Sequence, residues 1–400
     1  MKLNAHDNNK YTLEVLHNSN LREKLVAEFK SRTPLTDTTV QSKYKSYRYY
    51  QTIAAADNYY KFYRIKGNNS QLLLDSQLLS KSYPYWSIGN VHYSPNQKYM
   101  AFTVDITGNE IYRLFINTIG PQTSLERDVL YNIDSSFVWS NNSNYIYFLK
   151  TDATNRPYQL CIIDLLTRKE QILYTETDKE FSLSIQNTID ELFLVLYSAN
   201  KIHNTVYIID YSYSYYKTNN IFNTPDKNLC QLDHNDAGFF LHTNQDNSYN
   251  FKILYCDYTG QVIEPIIPHR KLRYLETFYL YKHFIVLVYI VNAQNIISIY
   301  TFHNKLIVDI PTESFYIRVP FALNMDYHAT TIYYIESSYN RPKTIFSYNI
   351  CNTSKSIVYT RNFASHVVTL YKQTIIDVAG TNLHISIVYH INNYKQNGSA

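Results

Sequence analysis

The sequence predicts an all-β fold: a seven-bladed β-propeller preceded by a short helical segment. Three observations carry this expectation. First, residues 94–117 (SPNQKYMAFTVDITGNEIYRLFIN) hold a turn–strand–turn–strand unit. Ser94-Pro95-Asn96 has turn chemistry, because proline fixes φ and asparagine tolerates a tight turn. Met100, Phe102 and Val104 then alternate along one strand face. Gly108 supplies the second turn, and 111–116 returns. Second, the unit recurs. The strand after the first turn opens near Tyr49, Tyr99, Tyr145, Leu192, Phe239, Phe284 and Ile332, at intervals of 45 to 50 residues. That spacing suits one four-stranded propeller blade. Third, residues 137–175 show four strands in succession: FVWS, YIYFLK, YQLCIID and EQILYT. A large sandwich with accidental spacing is the alternative.

Along the chain, residues 1–36 form a helical segment outside the repeat. Asn20 followed by Glu23 gives a capping-box-like start. Leu21, Leu25 and Phe29 line one helical face with Val26 beside them, and Pro34 stops the helix. An earlier turn or two of helix is expected around 11–16. The propeller is expected over 40–380, its turns rich in Asn, Asp and Ser. Its channel should be lined by each blade's first strand, such as 137–140. The low-complexity stretch 211–220 (YSYSYYKTNN) is expected on an outer edge facing solvent. Ile385, Ile387 and Tyr389 alternate like a strand within 381–400, which is expected to be a hinge or the start of a linker, and 392–400 is polar.

Composition bounds the function. The 400 residues carry a net charge of +4 with no basic run, so nucleic acid is not an expected partner. Only 8 glycines occur against 42 tyrosines, where about 7% glycine is usual. An AT-rich coding sequence favours that balance, so the tyrosines read as β-formers before they read as a binding platform. Cys161, Cys230, Cys256 and Cys351 are scattered without a CxxC pair, which fits free thiols in a reducing compartment better than zinc or disulfides. The first twenty residues are polar, and the longest apolar run, 284–291, is too short to span a bilayer. A soluble, cytoplasmic chain with no membrane partner is expected.

Several stretches resemble the prolyl oligopeptidase family of serine peptidases. SPNQKYMAFTVDITGNEIYRL is similar to that family's SPD-x-x-x-x-A-[YF]-x-x-D-x-x-G-x-E-x-[YF] signature. FVWSNNSNYIYF (137–148), RPYQL (156–160), YTETDKEF (174–181), DHNDAGFFLHTN (233–244), NFKIL (250–254), IIPHR (266–270) and REKLVAEFKSR (22–32) resemble its oligopeptidase B (protease II) branch. The resemblance implies a propeller that caps an α/β-hydrolase domain holding a Ser-Asp-His triad and restricts access to short peptides, cleaved after Arg or Lys. It also implies first and last blades that share no closing strand. Leu21, Leu25, Phe29, Glu176 and Asp178 then become possible contacts to the hydrolase domain.

This sequence departs from the family pattern at both ends. The leading segment with its DPY-x-W-like motif is expected to be missing, and so is the α/β-hydrolase domain after NYKQNGSA. A nucleophile elbow needs glycines four apart around Ser, and no two of the eight glycines are so spaced. No catalytic residue, cofactor or metal is therefore assigned. His234, His242, His384 and His390 lack helical i, i+4 spacing or acidic ligands, and are expected on turns and edges. Glu176, Asp178 and Glu180 form an acidic cluster that reads first as a solvated turn and second as a surface for a basic partner. The expected role is substrate gating beside a hydrolase domain, missing or on a separate chain, with short basic peptides as ligands. A stand-alone protein-binding propeller and a non-functional remnant of a split gene are the alternatives.

Overall fold

The structure, a computed structural model, describes residues 2–16, 19–120, 124–212, 219–223, 228–312, 316–361, 371–377 and 384–393. Two helices lead: α1 (Lys2–Val15) and α2 (Ser19–Arg32). The first helix is far longer than the expected turn or two. The second begins one residue before Asn20 and ends two before Pro34.

The rest is strand. The first sheet holds β1 (Asp37–Thr38), β2 (Ser42–Tyr44), β3 (Tyr47–Ile53), β4 (Lys61–Lys66) and β5 (Asn69–Asp75), and the short α3 (Ser76–Ser80) follows it. The second holds β6 (Ser87–Tyr93), β7 (Tyr99–Asp105), β8 (Tyr112–Thr118), β9 (Ser124–Trp139), β10 (Tyr145–Thr151), β11 (Pro157–Asp164) and β12 (Glu170–Thr175). The third holds β13 (Ser182–Asn187), β14 (Phe193–Ala199), β15 (Asn204–Asp210) and β16 (Asn219–Asn223). The fourth holds β17 (Cys230–Asn235), β18 (Gly238–Thr243), β19 (Lys252–Cys256) and β20 (Val262–Ile267). The fifth holds β21 (Tyr274–Leu280), β22 (Ile285–Val291), β23 (Gln294–Tyr300) and β24 (Leu306–Asp309). The sixth holds β25 (Tyr316–Arg318), β26 (Thr331–Ser338), β27 (Arg341–Asn349) and β28 (Ser354–Thr360). A hairpin of β29 (Tyr371–Asp377) and β30 (His384–His390) comes last.

All pairings are antiparallel and, apart from β1 with β3, join strands consecutive in sequence, the meander of a propeller. Seven separate blades are not found, however. Five sheets of four or five strands stand alone, and one sheet has seven strands. The cause is β9, which runs for 16 residues without a break. Its Ile133 faces both Tyr112 on β8 and Lys150 on β10. The sequence between Leu130 and Phe137 (YNIDSS) holds no Gly or Pro to end a strand, and Asn132, at φ 56°, bends the strand without ending it.

The repeat anchors fall together: each lies in the second strand of its unit or, for Leu192 and Phe284, one residue before it, from Tyr49 in β3 to Ile332 in β26. β7, β10, β14, β18 and β22 are buried on both faces, which explains their continuous apolar runs, whereas β26 is buried at alternate positions and β3 chiefly at Tyr49. In β10, Ile146 and Phe148 enter a core shared with β7 and β8, while Tyr147 and Leu149 enter a core shared with β14 and β15. Six such cores, among the described residues, cement successive units.

One hairpin design recurs between first and second strands. Ser94 Oγ donates to Asn96 Oδ1 (2.8 Å) and accepts from the Tyr99 amide (2.9 Å). Ser140, Asn142 and Tyr145 repeat this at 2.7 and 3.1 Å, and Thr188, Asp190 and Phe193 at 2.7 and 3.2 Å. The next position is left-handed each time: Gln97 (φ 62°), Ser143 (64°) and Glu191 (61°). Non-glycine residues thus take the conformation that glycine adopts most readily.

Candidate functional site

The first strands converge on the ring axis around a cavity of about 850 Å³. Its wall is drawn from β2, β3, β6, the end of β9, β13, β17, β21 and the 3-10 turn 321–323. Of the expected lining stretch 137–140, Phe137, Val138 and Trp139 lie in this wall, with Ser136 before them, and Ser140 is not among the lining residues. Alternation decides what each strand presents. On β17, Gln231 and Asp233 reach the cavity while Leu232 enters the core behind.

Charge in this wall is sparse and of one sign. Among the described residues lining the cavity, Glu191 and Asp233 are the carboxyl groups, and no Lys or Arg lines it. Glu191 pairs with Lys45 Nζ at 2.5 Å. Asp233 Oδ1 accepts the amides of Ile189 (2.8 Å) and His234 (2.9 Å), tying β17 to the hairpin of the preceding sheet. Asp233 is half-buried, and protein surrounds its carboxyl. Desolvation raises its pKa above the usual carboxylate range, against the pull of those two amides.

Beside it lies a pair the sequence reading missed. His234 Nδ1 meets Asp190 Oδ2 at 2.5 Å, with His234 only 1% exposed. The ring packs among Phe193 (4.7 Å), Phe239 (4.7 Å) and Tyr258 (5.5 Å), and its Nε2 is buried without a hydrogen-bond partner. A general base must reach its proton, and an Nε2 walled in by aromatic rings reaches none. The pair therefore fastens the third sheet to the fourth. His242 is also interior: it is 5% exposed, 2.9 Å from the Leu275 carbonyl and stacked on Phe251. Burial lowers its pKa to about 4. The expectation of turn and edge histidines is thus corrected for both: His242 sits on β18, buried on two faces, and His234 lies on the core-facing side of β17, opposite Gln231 and Asp233. The available signal was position: both flank the apolar run GFFL.

The other predicted site residues separate into two groups. Leu21, Leu25 and Phe29 share one face of α2 and are 53%, 43% and 67% exposed. Glu176 and Asp178 lie in the connection between β12 and β13. Glu176 Oε2 accepts from Ser198 Oγ (2.5 Å) and Tyr174 OH (3.1 Å), and its Oε1 accepts the Asp178 amide (2.9 Å). Arg156, from the RPYQL stretch, donates to Asp152 Oδ2 (2.9 Å) and to the carbonyls of Asp178 (2.9 Å) and Phe181 (2.6 Å). This acidic turn is stitched into the fold. Tyr211 is likewise drawn inward, its hydroxyl donating to Asn187 Oδ1 at 2.8 Å. Residues 213–218 of the tyrosine-rich stretch and 394–400 of the tail lie outside the described residues.

Cys161, Cys230 and Cys256 are buried free thiols, and Cys351 is exposed. Among the described residues, no group of three or more His, Cys, Asp or Glu is arranged to hold a metal, and no helix is long and apolar enough to cross a membrane.

The family model for the prolyl oligopeptidase N-terminal β-propeller domain matches residues 5–361. The chain is 20% identical over 343 residues to Protease 2 of Moraxella lacunata, covering 82% of this chain and 49% of that protein. It is 21% identical over 298 residues to dipeptidyl aminopeptidase BI of Pseudoxanthomonas mexicana, covering 68% and 41%. It therefore spans about half the length of the curated relatives it matches. Among solved structures it resembles oligopeptidase B from Leishmania major (TM-score 0.87, 17% identity, 95% of this chain and 57% of that one). It also resembles oligopeptidase B from Trypanosoma brucei with covalently bound antipain (TM-score 0.84, 17% identity, 96% and 57%).

Proposed function

The chain belongs to the prolyl oligopeptidase family, as its N-terminal β-propeller portion, and from that premise we propose that it is the access-controlling part of an oligopeptidase B-type serine peptidase. It works with an α/β-hydrolase domain, on the same or a separate chain, that supplies the nucleophile. The substrates are short peptides cut after Arg or Lys. The seven-stranded sheet counts as two blades sharing β9, which brings the ring to seven. Buried free thiols fit work in the cytoplasm.

The observation that carries the reading is the axial cavity. At about 850 Å³ it suits a few residues of extended peptide and excludes a folded domain. Leu21, Leu25 and Phe29 supply apolar surface for the hydrolase domain.

The test uses the purified chain with and without a separately expressed oligopeptidase B-type hydrolase domain. Alone, the chain should cleave no Arg- or Lys-containing peptide. Together, the two should cleave short peptides but spare folded proteins, and the chain's melting temperature should rise. Turnover by the chain alone that disappears on mutating one of its serines overturns the reading. So does a stable monomer indifferent to the hydrolase domain.

A further inference from the structure

We propose that the turn 269–273, at the junction of the fourth and fifth sheets, binds the phosphate group of a phosphomonoester, with Arg270 and Arg273 as its principal ligands. None of these residues lines the axial cavity, so the site goes beyond access control and needs no hydrolase domain.

The first ground is uncompensated charge. The IIPHR stretch (266–270) runs from β20 into a turn that is basic at His269, Arg270, Lys271 and Arg273 and carries no acid. Among the described residues, no carboxylate pairs with Arg270, Lys271 or Arg273. Acids close by are engaged elsewhere: Glu276 Oε2 accepts from Asn295 Nδ2 (3.1 Å), and Asp309 Oδ1 from Ser298 Oγ (2.5 Å). Both arginines are held by rings instead. Their guanidinium carbons each lie 5.9 Å from the centroid of Tyr289, and that of Arg270 lies 5.6 Å from the centroid of Tyr300. A cation over an aromatic face is attracted by the ring's quadrupole and leaves its N–H donors unengaged. The Tyr289 hydroxyl accepts none of them, being buried without a partner. Both arginines are half-buried and Lys271 is exposed, so a ligand reaches them.

The second ground is preorganisation. Asn250, in the loop between β18 and β19, donates through Nδ2 to the carbonyls of Arg270 (3.0 Å) and Lys271 (2.9 Å). Its own carbonyl accepts the Leu275 amide (3.0 Å). The turn is thus clamped before a ligand arrives, which lowers the ordering cost of binding. Two guanidinium forks and an ammonium match the charge and the three oxygens of a phosphomonoester dianion. A carboxylate, with two oxygens and a single charge, leaves part of that set unused. A nucleic-acid backbone spreads its charge along a track, and a single turn offers none. Leu272 (87% exposed) and Tyr249 (61% exposed, its ring 4.7 Å from that of His269) supply apolar surface for the organic part of the ester.

The same group occurs on small metabolites and on phosphorylated peptides, so the probes separate them. Phenyl phosphate is titrated into the whole chain by calorimetry, with benzoate and inorganic phosphate as comparison anions. Phosphorus NMR line width gives a second readout. Phenyl phosphate should bind at least about tenfold more tightly than benzoate, and more tightly than inorganic phosphate. The stronger of glycerol 3-phosphate and an end-blocked Ala-phosphoserine-Ala tripeptide identifies the source. Arg270→Gln and Arg273→Gln should each weaken phenyl phosphate by about fivefold or more, and Lys271→Gln by less. Lys169→Gln, just before β12 in the second sheet, should leave it unchanged. If the arginine variants do not fold, Lys271→Glu at its exposed position sets a carboxylate beside them and should weaken binding by about tenfold or more. Equal binding of benzoate or of inorganic phosphate, binding undiminished by the Arg270, Arg273 and Lys271 variants, or no binding of any phosphate ester at millimolar concentration overturns the proposal.

Discussion

Two kinds of seam hold the ring together. Between β7–β8 and β9–β10 the seam is an apolar core in which Leu114, Ile133, Ile146 and Phe148 are fully buried. Where the sixth sheet meets the first, described residues meet through polar contacts: Tyr359 OH donates to Asp37 Oδ1 (3.0 Å), and Lys43 pairs with Asp326 at 2.7 Å; within the first unit, Tyr60 OH holds the other Asp37 oxygen (3.3 Å). Apolar burial gains about 25 cal/mol per Å². Exposed ion pairs give only about 0 to 1 kcal/mol each. The difference teaches that cohesion accumulates between neighbours in sequence and thins where the two ends of the chain meet. Small open forms should begin there.

Hollowing an apolar seam should have the largest effect. Phe148→Ala should cost about 3 to 5 kcal/mol in urea unfolding; a loss below that of any polar-seam variant would invert the ranking. Next comes acidification. His242, in the seam between the fourth and fifth sheets, has its pKa lowered to about 4 by burial. The unfolded chain, at about 6.5, therefore binds more protons below neutrality, and stability should fall as pH drops through that window. The loss should be about 2 kcal/mol between pH 7.5 and 5. His242→Gln should flatten this slope in thermal melts, and an unchanged slope would place the titration elsewhere. Smallest is the closing seam. Asp37→Ala removes both tyrosine contacts and should cost about 1 kcal/mol, yet speed hydrogen exchange in β2 and β28 before any change in β10. Uniform exchange across all sheets would show that the two seams open together.

Much of this ring was legible because its repeat is local. Turn chemistry and a two-sided apolar run mark most second strands, and Tyr99 and Tyr145 open β7 and β10 as expected. What escaped was set by neighbours distant in sequence. His234 looked like a turn histidine because Asp190, its partner, sits 44 residues away on another sheet. Likewise only 137–140 read as a strand where β9 runs from Ser124 to Trp139, because sequence periodicity cannot show that both flanking strands pair with one unbroken backbone. Within the cavity, the partnership of Tyr49 with Tyr93 depended on which face of β3 and β6 turned inward. Leu21, Leu25 and Phe29 were legible as a helical stripe, and the structure leaves that stripe exposed.

The unbroken course of β9 has a mechanical consequence. Its ladder carries load through covalent backbone from β8 to β10, so the two units it joins twist as one plank and cannot slide past each other. Breathing of the ring must then be taken up at other junctions. Its pairings are also close in sequence, which makes them cheap in loop entropy and early to form. A growing chain would lay the later sheets against this stiff double unit.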